Sequence, residues 1–251
     1  MMMDTDPTTE ARKRPHDIPK KSSDRATRLF GSFLGYEGSP RRIWRILVEF
    51  RRGFRFLRKF DKAVTIFGSN RELMPMETYQ EATKLGRLLA QDGFAVFTGG
   101  GGGIMEAANK GAFEVGGPSV GVNIELKDKQ RQNPYVTEST SFHYFFTRKV
   151  VMAFSAQVYV FFPGGFGTLD EFFEIVTLIQ TKKIEEGIPV VLVGEEYWRP
   201  LLDWIRVMLA QQYQTIDADD QDIFTLVTNA DEAYTYIQEA MAERMEGNDI
   251  H

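Results

Sequence analysis

From residue 61 onward, short apolar runs alternate with longer stretches of helical period, and this alternation constrains the fold more than any other feature of the chain. The runs at 63–67, 94–97, 119–123, 158–162 and 189–193 are too short for buried helices and read as buried strands. Between the first two, residues 77–91 set Tyr79, Ala82, Leu85 and Leu89 on one helical face, and Gly93 supplies the stop. Further helical segments are expected at 104–114, around Arg148 and Lys149, and at 169–181, 198–209 and 231–245, with a long polar loop up to about residue 140. Strands joined by crossover helices predict an α/β fold, a Rossmann-like open parallel sheet with helices on both faces. Ligands of such sheets lie outside the carboxyl ends of the strands.

The first 60 residues differ in kind. They carry 15 basic and 7 acidic side chains, whereas residues 61–251 carry 15 basic and 28 acidic ones. Residues 1–24 are polar and charged and are expected to be disordered, because they cannot bury enough apolar surface to offset their ordering entropy. From residue 41 to 60, Ile43, Trp44, Leu47, Phe50, Phe54 and Leu57 recur at spacings of three and four among arginines, which predicts a basic amphipathic helix. The chain therefore divides into a disordered basic tail plus amphipathic helical extension at 1–60 and a Rossmann-like domain at 61–251. Packing on its own domain or a sister subunit is the preferred reading of the helix. A nucleic-acid partner is disfavoured by the acidic remainder. With no cysteine, thiolate chemistry is excluded. No apolar stretch approaches the roughly 20 residues of a membrane span, and the start lacks a secretory signal, so a cytoplasmic protein without membrane contact is expected.

Two glycine-rich turns fall where ligands should bind. The first, Thr98-Gly99-Gly100-Gly101-Gly102-Gly103-Ile104-Met105-Glu106, joins a strand to a helix, so its backbone can approach an anion while helix-start amides point at it. It matches neither G-x-G-x-x-G nor the phosphate loop ending in Lys-Ser/Thr, which removes the dinucleotide and ATPase readings. The second is Pro163-Gly164-Gly165-Phe166-Gly167-Thr168-Leu169-Asp170-Glu171. Gly165, Gly167 and Thr168 can present amides and a hydroxyl to phosphate, with Glu171 one turn further on. Thr168 and Glu171 equally spell a capping box, in which both side chains only satisfy helix-start amides. Between the turns, Arg148 and Lys149 form a cationic pair able to neutralise phosphate or to sit in solvent.

These three segments, in this order, resemble the Lonely Guy (LOG) family in its longer bacterial form, a family often labelled lysine decarboxylase. The likeness spans roughly residues 60–210, including Gln132-Asn133-Pro134-Tyr135, and departs at Gly102 and Lys127, where proline is usual. The resemblance implies a hydrolase that cuts the N-glycosidic bond of a nucleoside 5′-monophosphate, such as AMP or a cytokinin riboside monophosphate, without metal or other cofactor. It implies Arg148 and Glu171 as the catalytic pair. Gly99, Gly100, Gly101, Gly103, Met105, Lys149, Gly165, Phe166, Gly167, Thr168 and Thr177 are the implied substrate contacts, with Gln130 near them. It also implies a homodimer or higher homo-oligomer.

Glycoside cleavage passes through a cation-like sugar, which a carboxylate such as Glu171 stabilises, while Arg148 can stabilise the departing base or aim the carboxylate. The alternative is a non-catalytic nucleotide carrier or sensor on the same scaffold. A pyridoxal-phosphate decarboxylase would need a lysine with supporting partners that no segment supplies. The acidic stretch Asp217-Ala218-Asp219-Asp220-Gln221-Asp222 lacks the glycine and glutamate of a calcium loop and reads as solvated.

Overall fold

The structure, a computed structural model, describes residues 40–71, 73–125, 132–185 and 187–248. The expected tail at 1–24, together with Lys127 and Gln130, lies outside these residues.

Among the described residues, seven parallel strands form one open sheet. Chain order gives α1 (Pro40–Leu57), β1 (Ala63–Phe67), α2 (Met76–Gln91), β2 (Ala95–Thr98), α3 (Ile104–Glu114), β3 (Ser119–Ile124), β4 (Glu138–Phe142) and α4 (Phe145–Ala153). Then follow β5 (Val158–Phe161), α5 (Phe166–Gln180), β6 (Val190–Val193), α6 (Glu195–Trp204), β7 (Thr225–Val227) and α7 (Ala230–Asn248). The spatial order β4-β3-β2-β1-β5-β6-β7 is parallel throughout. Strand order reverses between β1 and β5, and it is at such a switch point that loops diverge and leave a crevice.

The strands obey a period of two. Along β1, Val64 and Ile66 enter one core with Leu85 and Leu89 of α2, Ala108 of α3 and Ile237 of α7. Ala63 and Phe67 enter the other with Phe56 of α1, Val151 of α4, Phe172 of α5 and Trp198 of α6. Both faces are thus covered, which is why the strands read as unbroken apolar runs.

Two strands escaped the sequence reading. β4 begins within the stretch expected to be loop up to about residue 140: Glu138-Ser139-Thr140-Ser141-Phe142 is mostly polar, and as an edge strand it needs only Thr140 and Phe142 buried. β7 is the opposite edge and only three residues long. Residues 46–251 form one compact unit, so the second half of α1 belongs with the sheet. Its buried residues, Glu49, Gly53 and Phe56, follow helical spacing. Among the described residues no helix is long and apolar enough to cross a membrane.

Candidate functional site

A cavity of about 470 Å³ opens at the switch point. Gly68, Ser69, Asn70 and Arg71 line it from the end of β1, Gly99 from the end of β2, and Gly165, Phe166, Gly167, Thr168 and Glu171 from the turn after β5 and helix α5. Arg148 and Phe145 of α4 and Met105 of α3 also line it, above a floor of apolar side chains that includes Met152.

Glu171 is the unusual group. Its residue is 5% exposed, and Oε2 is buried without a hydrogen-bond partner. Burial therefore pushes its carboxyl up to about 8, opposed by the Arg148 charge and assisted by Glu174. The capping-box reading fails on geometry. α5 already begins at Phe166 behind Gly165, no side chain caps it, and Thr168 sits inside the first turn with its amide bonded to the Gly165 carbonyl at 3.0 Å. Thr168 folds back instead over Gly164, where any Cβ would collide with its hydroxyl. A buried, unsatisfied carboxylate is expensive for a fold, and it faces a cavity.

Arg148 is aimed by its own hydrogen bond, Nε donating to the Val122 carbonyl at 2.8 Å. Its guanidinium carbon lies 5.9 Å from the Phe145 ring centre. Burial lowers its pKa and the Glu171 charge raises it, but a guanidinium keeps its proton in any case. The first backbone amides of α5 have no acceptor within their own helix. Nothing lies within 4 Å of where a Cβ on Gly165 or Gly167 would stand, so that helix end is open to an anion.

Five expected residues do not line this cavity: Gly100, Gly101, Gly103, Lys149 and Thr177. The first glycine turn is anchored by one of its amides and two of its carbonyls. The Gly100 amide donates to Thr98 Oγ1 (2.9 Å), the Gly100 carbonyl accepts from the Asn133 amide (2.9 Å), and the Gly101 carbonyl accepts from Asn133 Nδ2 (2.9 Å). Asn133 Nδ2 also reaches Asn109 Oδ1, which holds Thr98 Oγ1 at 2.6 Å. Gly103 has φ +66° and presses on the Ser69 carbonyl, which takes the Ile104 amide at 2.9 Å. It lines a separate 290 Å³ cavity with Arg71, Met74, Met76, Tyr79 and Glu106. Of its five glycines, only Gly99 lines the main cavity.

Lys149 points the other way, its Nζ 2.7 Å from Asp170 and 3.5 Å from Glu174. Burial lowers its pKa, but the Asp170 hydrogen bond and the charges of Glu174 and Glu171 outweigh this and leave it raised. Lys149 thereby ties α4 to α5. Thr177 is exposed, with its carbonyl accepting from Thr181. Six residues beyond Glu171 it is turned by roughly 240° about the helix axis and cannot share its face.

The sequence reading missed the Ser69 to Arg71 segment and the Asn109–Asn133 pair. The rule that ligands gather at strand ends points to Ser69 once β1 is drawn; Asn133 stands in a segment of the family likeness, but only the fold shows that it meets Asn109.

Residues 105–237 match the protein family described as "Possible lysine decarboxylase". The cytokinin riboside 5′-monophosphate phosphoribohydrolase of Rhodococcoides fascians is 32% identical over 148 residues, covering 57% of this chain and 74% of that protein. The rice (Oryza sativa subsp. japonica) protein described as cytokinin riboside 5′-monophosphate phosphoribohydrolase LOG is 27% identical over 144 residues, 56% of this chain and 59% of its own. Among solved structures, the molybdenum cofactor carrier protein of Chlamydomonas reinhardtii superposes with a TM-score of 0.56 at 22% identity, over 72% of this chain and 98% of that one. The molybdenum cofactor binding protein of Rippkaea orientalis gives 0.55 at 18%, over 72% and 97%. These last two speak to the fold alone. Taken with the Arg148 and Glu171 segments, the sequence matches show that the chain belongs to the LOG/lysine decarboxylase-like family.

Proposed function

We propose that the protein hydrolyses the N-glycosidic bond of a nucleoside 5′-monophosphate, AMP or a cytokinin riboside monophosphate, to free base and ribose 5-phosphate. The observation that carries this reading is Glu171, a buried carboxylate with an unsatisfied oxygen on a cavity that also holds Arg148 and an open helix N-terminus. The phosphate sits against the amides of Gly165, Phe166 and Gly167, with Arg71 at the rim, and fixes the ribose above Glu171. Ionised Glu171 stabilises positive charge at C1′ and takes a proton from the attacking water. The base departs with the electrons of the broken bond and picks up a proton from solvent, while Arg148 stabilises the charge that develops on it. Every step runs on side chains and water.

A lysine decarboxylase reading finds no support in the site, because Lys149 is held by two carboxylates and does not reach the cavity. The same chemistry favours a cytoplasmic enzyme working on soluble nucleotides. Exposed Phe146, Phe154 and Phe173 favour a homo-oligomer, checked by mass in solution.

The test is incubation of the purified protein with a panel of nucleoside monophosphates and the matching nucleosides, with free base followed by chromatography. Base release from a monophosphate, with much slower release from its nucleoside, is expected. Tight nucleotide binding without release would overturn the enzyme in favour of a carrier.

A further inference from the structure

Helix α1 precedes the segment that the family match covers, yet one of its side chains reaches the helix that bears Arg148. Glu49 is a glutamate on an otherwise arginine-rich helix, and it is 7% exposed. Its carboxylate accepts three hydrogen bonds from the β4–α4 junction: the His143 amide at 2.9 Å, the Tyr144 amide at 3.3 Å and the Thr147 hydroxyl at 2.6 Å. Tyr144 is the cap residue of α4 and makes no side-chain cap of its own. A carboxylate from a residue 94 positions away therefore does the work that a local serine or aspartate performs at most helix starts, with its charge on the favourable end of the helix dipole.

The contact is held in register by the rest of α1 and the turn that follows it. A Cβ on Gly53 would lie 2.7 Å from the Val151 side chain of α4 and 2.9 Å from the Phe142 ring at the end of β4, so the backbone of α1 rests directly on these two side chains. Arg52 donates to the Ser141 carbonyl, and Lys59 pairs with Glu138 at 2.7 Å, both on β4. Phe56 is buried with the core beneath. Thr147 is the residue next to Arg148, whose own amide bonds back to the Tyr144 carbonyl at 3.3 Å. The turn that Glu49 fixes is the turn from which the guanidinium projects.

We infer that Glu49 is a positioning residue: through the His143 and Tyr144 amides and the Thr147 hydroxyl it locks the first turn of α4 and so holds Arg148 aimed into the cavity. The role of Arg148 rests on the function proposed above, whereas the aiming itself does not. Glu49 touches no wall of the cavity and acts only through its neighbours.

Two readouts separate these layers. The first needs no substrate: in ¹⁵N NMR of the unliganded protein, the Arg148 Nε–H signal, assigned by its loss in Arg148→Lys, reports the bond to Val122. In Glu49→Gln this signal should broaden or lose its protection from exchange, and Thr147→Val, which removes one donor and keeps the shape, should move it less in the same direction. An unchanged Arg148 signal in a folded Glu49→Gln protein overturns the proposal whatever the protein catalyses. Should Glu49→Gln fail to fold, Thr147→Val alone decides, with an unchanged signal again overturning it.

The second readout is kinetic. Glu49→Gln should lower kcat for AMP about 10- to 100-fold with little change in KM, as expected for an interaction realised in the transition state. Added to Arg148→Ala, it should cost almost nothing more, because the group it aims is gone. Equal losses in both backgrounds would assign Glu49 to the fold alone. A parent protein that releases no base would end the functional reading and leave the NMR result standing.

Discussion

Gly99 and Arg148 share one space: a Cβ on residue 99 would lie 2.5 Å from Arg148 Nη2 and 2.7 Å from the Met105 sulfur. The glycine at the end of β2 is thus the floor on which the guanidinium rests, and its backbone needs no left-handed φ to explain it. Gly99→Ala should displace Arg148 from its bond to Val122 while leaving both cores untouched. The expected loss is about 10- to 100-fold in kcat/KM, with melting temperature within a few degrees of the parent. Steady-state kinetics beside thermal unfolding checks both halves, and an active Gly99→Ala protein would show that Arg148 can work from elsewhere.

Burial makes Glu171 a pH-dependent liability. Its folded-state pKa stands at about 8 against an ordinary 4.5, so the folded state binds the proton more tightly than the unfolded one. The penalty is absent below the ordinary value, grows as the pH climbs between the two, and is complete above the higher one. Glu171→Gln removes it. The variant should match the parent near about pH 4 and exceed it in stability by a few kcal/mol above about pH 8. Denaturant titrations at both pH values test this.

The same group sets the activity profile. If ionised Glu171 receives the proton of water, kcat/KM should rise with pH along a limb centred near 8 and then level off. Glu171→Gln should abolish turnover at every pH while still binding AMP, as measured by calorimetry. A flat profile from pH 5 to 9 would remove Glu171 from the chemistry.

Arg71 is the cation that the sequence did not flag. It lines the main cavity from the loop after β1 and is exposed at its rim. Arg71→Ala should raise KM for a 5′-monophosphate about 10-fold, in keeping with loss of one charge-assisted contact, and leave the slow cleavage of the bare nucleoside unchanged. The parent's KM should climb with salt, and the variant's should climb less. Equal effects on nucleotide and nucleoside would take Arg71 away from the phosphate.

How much of this was legible follows from the range over which each signal acts. The five central strands and the helices between them write themselves in local period, since each strand is buried on both faces. β4 and β7 are edges, half covered, and their alternation is too short or too polar to stand out. Glu171 and Arg148 could be named from motif, but not the burial that raises the Glu171 pKa, which depends on α4 and α5 meeting across the switch point. For the five-glycine turn, local sequence cannot show that the Gly100 amide is taken by Thr98 Oγ1 and the Ile104 amide by the Ser69 carbonyl, which withdraws those two donors from any anion. Thr177, named with the motif, is exposed and turned away from the helix face that carries Glu171.

The crossing of α2 and α3 offers a prediction in which two effects have opposite signs. A Cβ on Gly86 would strike the Ala108 carbonyl, and one on Gly111 would strike the Thr83 carbonyl and come within 2.7 Å of the Arg87 amide. Neither glycine has a positive φ. Helix propensity alone makes alanine better than glycine at such positions by about 1 kcal/mol. The contact is backbone on backbone, however, so nothing can swing aside, and the helices must separate along the face that carries Leu85, Ala108 and Ala112. The steric effect should win. Gly111→Ala is expected to destabilise by about 2–4 kcal/mol and lower the melting temperature by roughly 5–15 °C. Since α3 carries Met105 and abuts the first glycine turn, the folded fraction should also show a modestly raised KM. A more stable Gly111→Ala protein would mean that the two helices are not packed this closely, and that the cavity wall near Met105 has room to shift.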